Sequence, residues 1–317
     1  MMPAVDAPIL VTGSHRSGTT WVGRMLALSP GVGYVHEPFF PRRWPGWLRE
    51  PLPHVYQYIC PENEGRFAPL IEDVLEYRYP FRNLLRIRTA RQAFQMAEEV
   101  PFSLWYRLRR ARPLLKDPIA LMSAEWLAER FGAQVVVMIR HPAAFAGSLK
   151  RLDWPRFDFR DWSEQRLFLR DLAGPYEGRI RAFADRRPDL IDEAILLWSV
   201  IHHVIGGYRD RHSDWSFVRH EDLSEEPVKG FRGLYERLGL RWDPVVEAVI
   251  VRSSTDEGRR EVPAHLHRTV RRDSRAAKWT WLGRLTAEEQ ERVREGTAEV
   301  APAFYGEEDW SPPEPAP

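Results

Sequence analysis

The sequence predicts an α/β protein with a central parallel sheet of about four or five strands, and three observations carry that expectation. PILVT (8–12) is a short apolar run that stops at Gly13 and gives way to a helical pattern. VVVMI (135–139) is an unbroken apolar run, as a parallel strand covered on both faces requires. Around these two, strand-like and helix-like segments alternate, the order that crossover connections demand.

In chain order, Trp21, Val22, Met25, Leu26 and Leu28 give the first helix a broad apolar face, and Ser29-Pro30-Gly31 ends it. GYVHE (33–37) reads as the second strand, stopped by Pro38. Residues 38–66 lack a regular pattern and are rich in Pro, Trp and Arg. Helical patterns follow over 67–79, up to about residue 97, and over 103–111, so 38–111 reads as a helical insertion over one sheet edge and a candidate substrate lid. The sheet resumes with RPLLKD (112–117), a helix over 119–131, and QVVVMIR (134–140). A helix starts at His141-Pro142, with proline at a favoured first-turn position. Further helices are expected over 161–172, 176–186, 190–211 and 227–238, with a last strand at 215–220. The whole of 1–317 reads as one domain without internal repeats, and SPPEPAP (311–317) has the composition of a disordered tail.

The charge balance, 46 basic against 45 acidic residues, argues against a nucleic-acid partner but leaves room for a local basic pocket. Cys60, the only cysteine, cannot form an internal disulfide. No signal peptide is readable in MMPAVDAPILV, and VVVMI and AILLWSV are too short to span a bilayer. The expectation is therefore cytoplasmic, with no membrane partner; RLRRAR (107–112) reads as a solvated helix face. Thirteen tryptophans fit either aromatic clefts or extra core packing.

The chemistry starts in VTGSHRSGTTWV (11–22). Gly13 and Gly18 have the spacing of G-x-x-x-x-G-K-[ST], placed between a strand and a helix. That context makes an anion site from unpaired amides and the helix dipole, and predicts a P-loop-like three-layer fold. Thr19 stands where an NTPase has its lysine, while Arg16 lies inside the loop. The strand that should supply a magnesium-binding aspartate ends instead in Arg140, with Ser148 eight residues on. A nucleotide carrying phosphates at two separate places fits both positions better than a magnesium triphosphate.

HRSGTTWV and IRHPAAFAGS resemble the two nucleotide motifs of sulfotransferases that use 3′-phosphoadenosine 5′-phosphosulfate (PAPS). The resemblance covers roughly 8–37 and 112–290; 38–111 matches no named pattern. It implies that the loop of Arg16, Ser17, Gly18, Thr19 and Thr20 holds the 5′-phosphosulfate. Arg16 would meet the bridging and sulfuryl oxygens, and the two threonines the 5′-phosphate. Arg140 and Ser148 would hold the 3′-phosphate, and Trp21 would stack on adenine. Lys116 resembles the lysine of the K-D-P motif in the tyrosylprotein and carbohydrate branches; its plainer role is an ion pair with Asp117. Glu37, 21 residues after Arg16, matches the base of the tyrosylprotein branch, with a pKa expected to rise by partial burial. His36 is the alternative base, which strand alternation points to the other side. VRHEDLSEEP resembles the family segment after the last strand, with His220 replacing a tyrosine. RRDSRAAKW aligns with a C-terminal R-K-G-x-x-G-x-W through Arg272 and Trp279, assigning Arg272 to the 3′-phosphate although Ser274 and Ala277 replace both glycines. PAPS is then the co-substrate, adenosine 3′,5′-bisphosphate (PAP) the product, and the acceptor a hydroxyl on a carbohydrate, tyrosine or small natural product, with no metal. A P-loop kinase and a silent nucleotide-binding protein remain the alternatives. His265 and His267 sit in a basic segment that could line the substrate mouth, and neither is counted among the site residues.

Overall fold

The computed structural model describes residues 7–254 and 276–311. Arg272, His265, His267 and all but the first residue of the expected tail lie outside the described residues. Strands β1 (Ile9–Gly13), β2 (Val32–His36), β3 (Arg112–Lys116), β4 (Gln134–Ile139) and β5 (Ser216–Arg219) form one parallel sheet in the order β2-β3-β1-β4-β5. All five strands end on one edge, and β1, whose neighbours are the later strands β3 and β4, sits at its centre. Ligands of open α/β sheets bind at the carboxyl ends of such strands, where the strand order reverses.

Alternation along each strand divides the core into two layers. Ile9, Val11, Leu114, Val136 and Met138 face helices α1 (Thr19–Leu26), α11 (Pro227–Arg237) and α12 (Pro244–Ser254). Leu10, Leu115, Val135, Val137 and Ile139 face the other way, towards α5 (Pro142–Arg151) and α9 (Leu190–Arg211). The three-layer architecture expected from the sequence is thus present. By length and composition α9 could cross a membrane, which no stretch was expected to do, yet 72% of its apolar window is buried, so it is a core helix.

Several boundaries differ from expectation. The segment between β2 and β3 carries α2 (Glu64–Leu75) and one long α3 (Ala90–Leu108) where two helices were expected. The capping box of Thr89 and Gln92 starts α3, and the helix continues through Pro101. The helix expected over 161–172 is split into α6 (Arg160–Ser163) and α7 (Arg166–Asp171). The remaining helices are α4 (Ala124–Phe131), α8 (Glu177–Asp185), α10 (His220–Glu225) and α13 (Ala287–Gly296); neither α12 nor α13 was expected. Trp47, Leu52, Tyr56, Ile71 and Tyr77 of the 38–111 segment belong to the same core layer as Leu115 and Ile119. Trp162, Trp198 and Trp281 are fully buried, so many of the surplus tryptophans fill the interior.

Three buried histidines link this core to pH. His15, His141 and His202 are each pushed from 6.5 to about 3, chiefly by burial. A chain that unfolds between those values takes up protons the folded form excludes, so their stabilisation is full above 6.5 and declines as pH falls towards 3. Asp117, raised by burial to about 7, acts in the opposite sense between 3.8 and 7. His36 and His203 are lowered in the same sense as the three histidines, and Glu99 and Asp222 are raised like Asp117. With five groups against three, acidification from pH 7 to pH 5 should lower the melting temperature, each of the three fully shifted histidines contributing about 1.4 kcal/mol per pH unit below its unfolded value. Calorimetric melts across that range test this; a flat profile would mean the histidines are not excluded from protonation.

Candidate active site

The loop after β1 owes its shape to two glycines. Gly13 has φ 131°, and a Cβ there would lie 2.1 Å from the Met138 carbonyl oxygen on β4. Gly18, at φ 91°, is the N-cap of α1, and a Cβ would lie 2.5 Å from the His220 ring. Between them, Ser17 donates its backbone N–H to the Ser14 carbonyl at 3.2 Å, closing a tight turn. The first intrahelical bond is Val22 N–H to the Gly18 carbonyl, so the amides of Thr19, Thr20 and Trp21 have no acceptor within α1. They form the positive end of the helix, facing the sheet edge.

Arg16 stands in the left-handed region at φ 66°, which is costly for a side chain of its size and fixes where its guanidinium goes. Arg16 Nε donates to Ser148 Oγ at 3.2 Å, and the guanidinium lies over the Trp154 ring at 5.2 Å. Arg140 Nη1 donates to the Arg16 carbonyl at 3.3 Å. The loop, the strand end and α5 therefore meet, so the two expected anion points adjoin. Burial together with the charges of Arg140, Arg151 and Arg284 pulls Arg16 down to about 10. Burial is the larger cause, and the three neighbouring arginines add a positive field to it. Arg151 and Arg284 were missed in the sequence; Arg284 arrives on a segment packed against Gly147 of α5.

Glu221 of α10 partly offsets this field. Its carboxylate lies 3.8 Å from Arg140 Nε and accepts from the His141 N–H at 3.1 Å and the Tyr305 hydroxyl at 3.0 Å. Among the described residues, buried Arg140 Nε has no hydrogen-bond partner, the Glu221 carboxylate at 3.8 Å being too far to accept from it. A buried donor of this kind, together with helix-terminal amides that have no acceptor within α1, fits an anionic ligand. Trp21 donates its indole N–H to Ser253 at 3.0 Å and packs edge-on against Phe231 at 5.0 Å, leaving the ring half-buried.

On the other side of the loop, Glu37 follows β2 and Lys116 ends β3. Lys116 Nζ donates to Glu37 Oε1, and the lysine is fully buried. Asp117 is not its partner: it is spent on the amides of Phe39, at 2.7 Å, and Ile119, at 3.1 Å. Burial pushes the Glu37 carboxyl up, but Lys116 and then His36 outweigh it and hold it down at about 2. The expected rise is therefore reversed, because the partial burial that was foreseen comes with a buried cation. The alternation argument for His36 also fails. Glu37 has φ 50°, which turns its side chain back so that His36 Nε2 lies 3.9 Å from Glu37 Oε2. His36 is held well below 6.5, by burial first and then Lys116, and is neutral at pH 7.

A narrow cleft lies beside this pair, walled by Phe40, Trp44 and Trp47 with Arg43, Gln95 and Glu99 as its polar groups. Arg43 and Glu99 are joined at 3.3 Å. The 38–111 segment is tied to the loop by Tyr56, whose hydroxyl is hydrogen-bonded to His15 Nδ1 at 2.7 Å. His15, Tyr56 and Trp154 carried no sequence signal, since each depends on a contact between distant segments.

The family model described as "Sulfotransferase family" matches residues 8–244. No curated protein matches the sequence. Among solved structures, the chain is similar to the sulfotransferase domain from the curacin biosynthetic pathway, at 14% identity, 92% of this chain, 97% of that chain and TM-score 0.47. The sulfotransferase domain of the Synechococcus PCC 7002 olefin synthase gives 15%, 96%, 98% and 0.46. Sulfotransferase STF1 from Mycobacterium tuberculosis H37Rv gives 18%, 94%, 78% and 0.41. At such scores these are likenesses, and the family model carries the assignment.

Proposed function

The chain belongs to the sulfotransferase family, and from that premise we propose that it moves the sulfuryl group of PAPS to an acceptor hydroxyl. The observation that supports this most is the joining of Ser148 and Arg140 to Arg16, in the loop that leads into a helix whose first amides have no acceptor within it. When bound, the donor supplies the sulfuryl group, its S–O bond to the 5′-phosphate breaking as the acceptor O–S bond forms. Arg16, Ser17, Gly18, Thr19 and Thr20 hold the 5′ end of the nucleotide, Arg140 and Ser148 the 3′-phosphate, and Trp21 lies beside the base. Positive charge from Arg16 and the helix end offsets what collects on the leaving oxygen. Lys116 orients Glu37, and Glu37, ionised at neutral pH, accepts the hydroxyl proton. The acceptor, a hydroxyl on a carbohydrate, tyrosine or small natural product, enters the cleft walled by Trp44 and Trp47.

Isothermal titration with adenosine 3′,5′-bisphosphate should show binding that is the same with and without magnesium. Failure to bind in either condition would remove the donor from the proposal. A kinase on this fold would instead bind ATP in a magnesium-dependent way. A silent binder would take the bisphosphate yet transfer no label from ³⁵S-PAPS to any hydroxyl panel.

A further inference from the structure

We propose that the outer face of α3, with the short helical segment before it, is a docking surface for an anionic lipid membrane. Among the described residues, twelve large apolar side chains are exposed, and eight of them lie between Phe81 and Leu108. The inner face of α3 is a single narrow stripe of Met96, Glu99, Ser103 and Tyr106. Phe94, Ala97, Pro101, Trp105 and Leu108 follow spacings of three and four residues and form a second stripe on the opposite side. Phe94 is 60% exposed, Trp105 47% and Leu108 86%. Leu85, in the segment before α3, is 89% exposed and extends the surface. An apolar stripe with nothing over it departs from the rule that a helix turns one such face to the core.

The charge around the stripe selects the occupant. Arg82, Arg86, Arg88 and Arg91 lie before and at the start of α3, and Arg107, Arg109 and Arg110 at its end. Among the described residues none of the seven is in an ion pair with a carboxylate. Over 81–110 the only carboxylates are Glu98 and Glu99, and Glu99 is buried against Arg43. Arg109 lies over the Trp105 ring at 4.6 Å, setting a cation beside an amphipathic aromatic as at a headgroup layer. A second copy of this chain would set arginine against arginine, with Glu98 alone to offset it. Phosphate headgroups above acyl chains match both parts of the surface. The expectation of no membrane partner came from searching for spanning segments, and this surface spans nothing. Because α3 also lends Gln95 and Glu99 to the cleft, docking keeps that cleft within about one helix diameter, 10 Å, of the lipid.

Co-sedimentation of the full chain with extruded vesicles tests this. Vesicles of phosphatidylcholine containing phosphatidylglycerol should carry the protein down, phosphatidylcholine alone far less, and added salt should release it. The triple variant Phe94→Ser/Trp105→Ser/Leu108→Ser should lose at least about tenfold in apparent vesicle affinity while keeping bisphosphate binding. Should that variant fail to fold, Arg107→Glu/Arg110→Glu provides the same readout through charge. The proposal is overturned if phosphatidylglycerol vesicles leave the protein in solution, or if both variants sediment as the wild type does. It is equally overturned if sedimentation velocity shows a dimer that the triple variant splits, because the stripe would then be a copy-to-copy interface.

Discussion

Glu37→Gln is expected to slow sulfuryl transfer by about 10²–10⁴-fold, the usual worth of a positioned general base. Its dissociation constant for the bisphosphate should stay within about twofold, since no nucleotide-binding group is changed. The low pKa of Glu37 records the field of Lys116, which is fully buried against it. An anionic donor near that lysine offsets the field and returns basicity to the carboxylate. The same substitution removes the counter-ion of a buried ammonium, which burial alone already pulls down. Breaking a buried pair from one side costs about 3–5 kcal/mol, so the variant should melt well below the wild type. Adding Lys116→Met to Glu37→Gln should recover part of that loss while leaving transfer dead. A variant with lowered melting temperature but wild-type kcat would mean that Glu37 serves only as the counter-ion. His36, neutral and 3.9 Å away, would then be the base to substitute next.

How much was legible follows from what each feature depends on. The parallel sheet was readable because unbroken apolar runs and strand–helix alternation are local, and all five strands lie within a residue or two of the segments read. That the Arg16 loop and the Arg140–Ser148 segment serve one nucleotide was implied by two motifs whose places in the fold are themselves local, but the direct bond of Arg16 to Ser148, 132 residues apart, was not. The α13 helix had a readable start: Thr286 and Glu289 form the S/T-x-x-E capping box. The sign of the Glu37 shift was not readable. Burial, its largest cause, acts in the expected direction, but the outcome is decided by a lysine 79 residues away. The outer stripe of α3 was hidden for a related reason. Its apolar spacing says that a face exists, and only the inner stripe of Met96 and Tyr106 shows which face the body already uses.

Arg140→Ala should raise the dissociation constant for adenosine 3′,5′-bisphosphate by about 10- to 150-fold, equivalent to about 1.5–3 kcal/mol for a charge-assisted hydrogen bond. The carboxylate left behind is tolerable: Glu221 keeps the His141 N–H and the Tyr305 hydroxyl as donors. The variant should therefore fold, although Arg140 also holds the Arg16 carbonyl at 3.3 Å. These two roles separate when the titration is repeated with adenosine 5′-monophosphate, which lacks the 3′-phosphate. If Arg140 meets that phosphate, wild type and variant should bind the monophosphate alike, and the whole difference should appear with the bisphosphate. If Arg140 acts by shaping the loop through Arg16, both nucleotides should weaken by the same factor. Ser148→Ala, which removes a neutral partner of Arg16, should fall in the same direction with a smaller effect. Equal affinity of wild type and Arg140→Ala for the bisphosphate would place the 3′-phosphate elsewhere, with Arg284 the next cation to substitute because its charge already reaches Arg16.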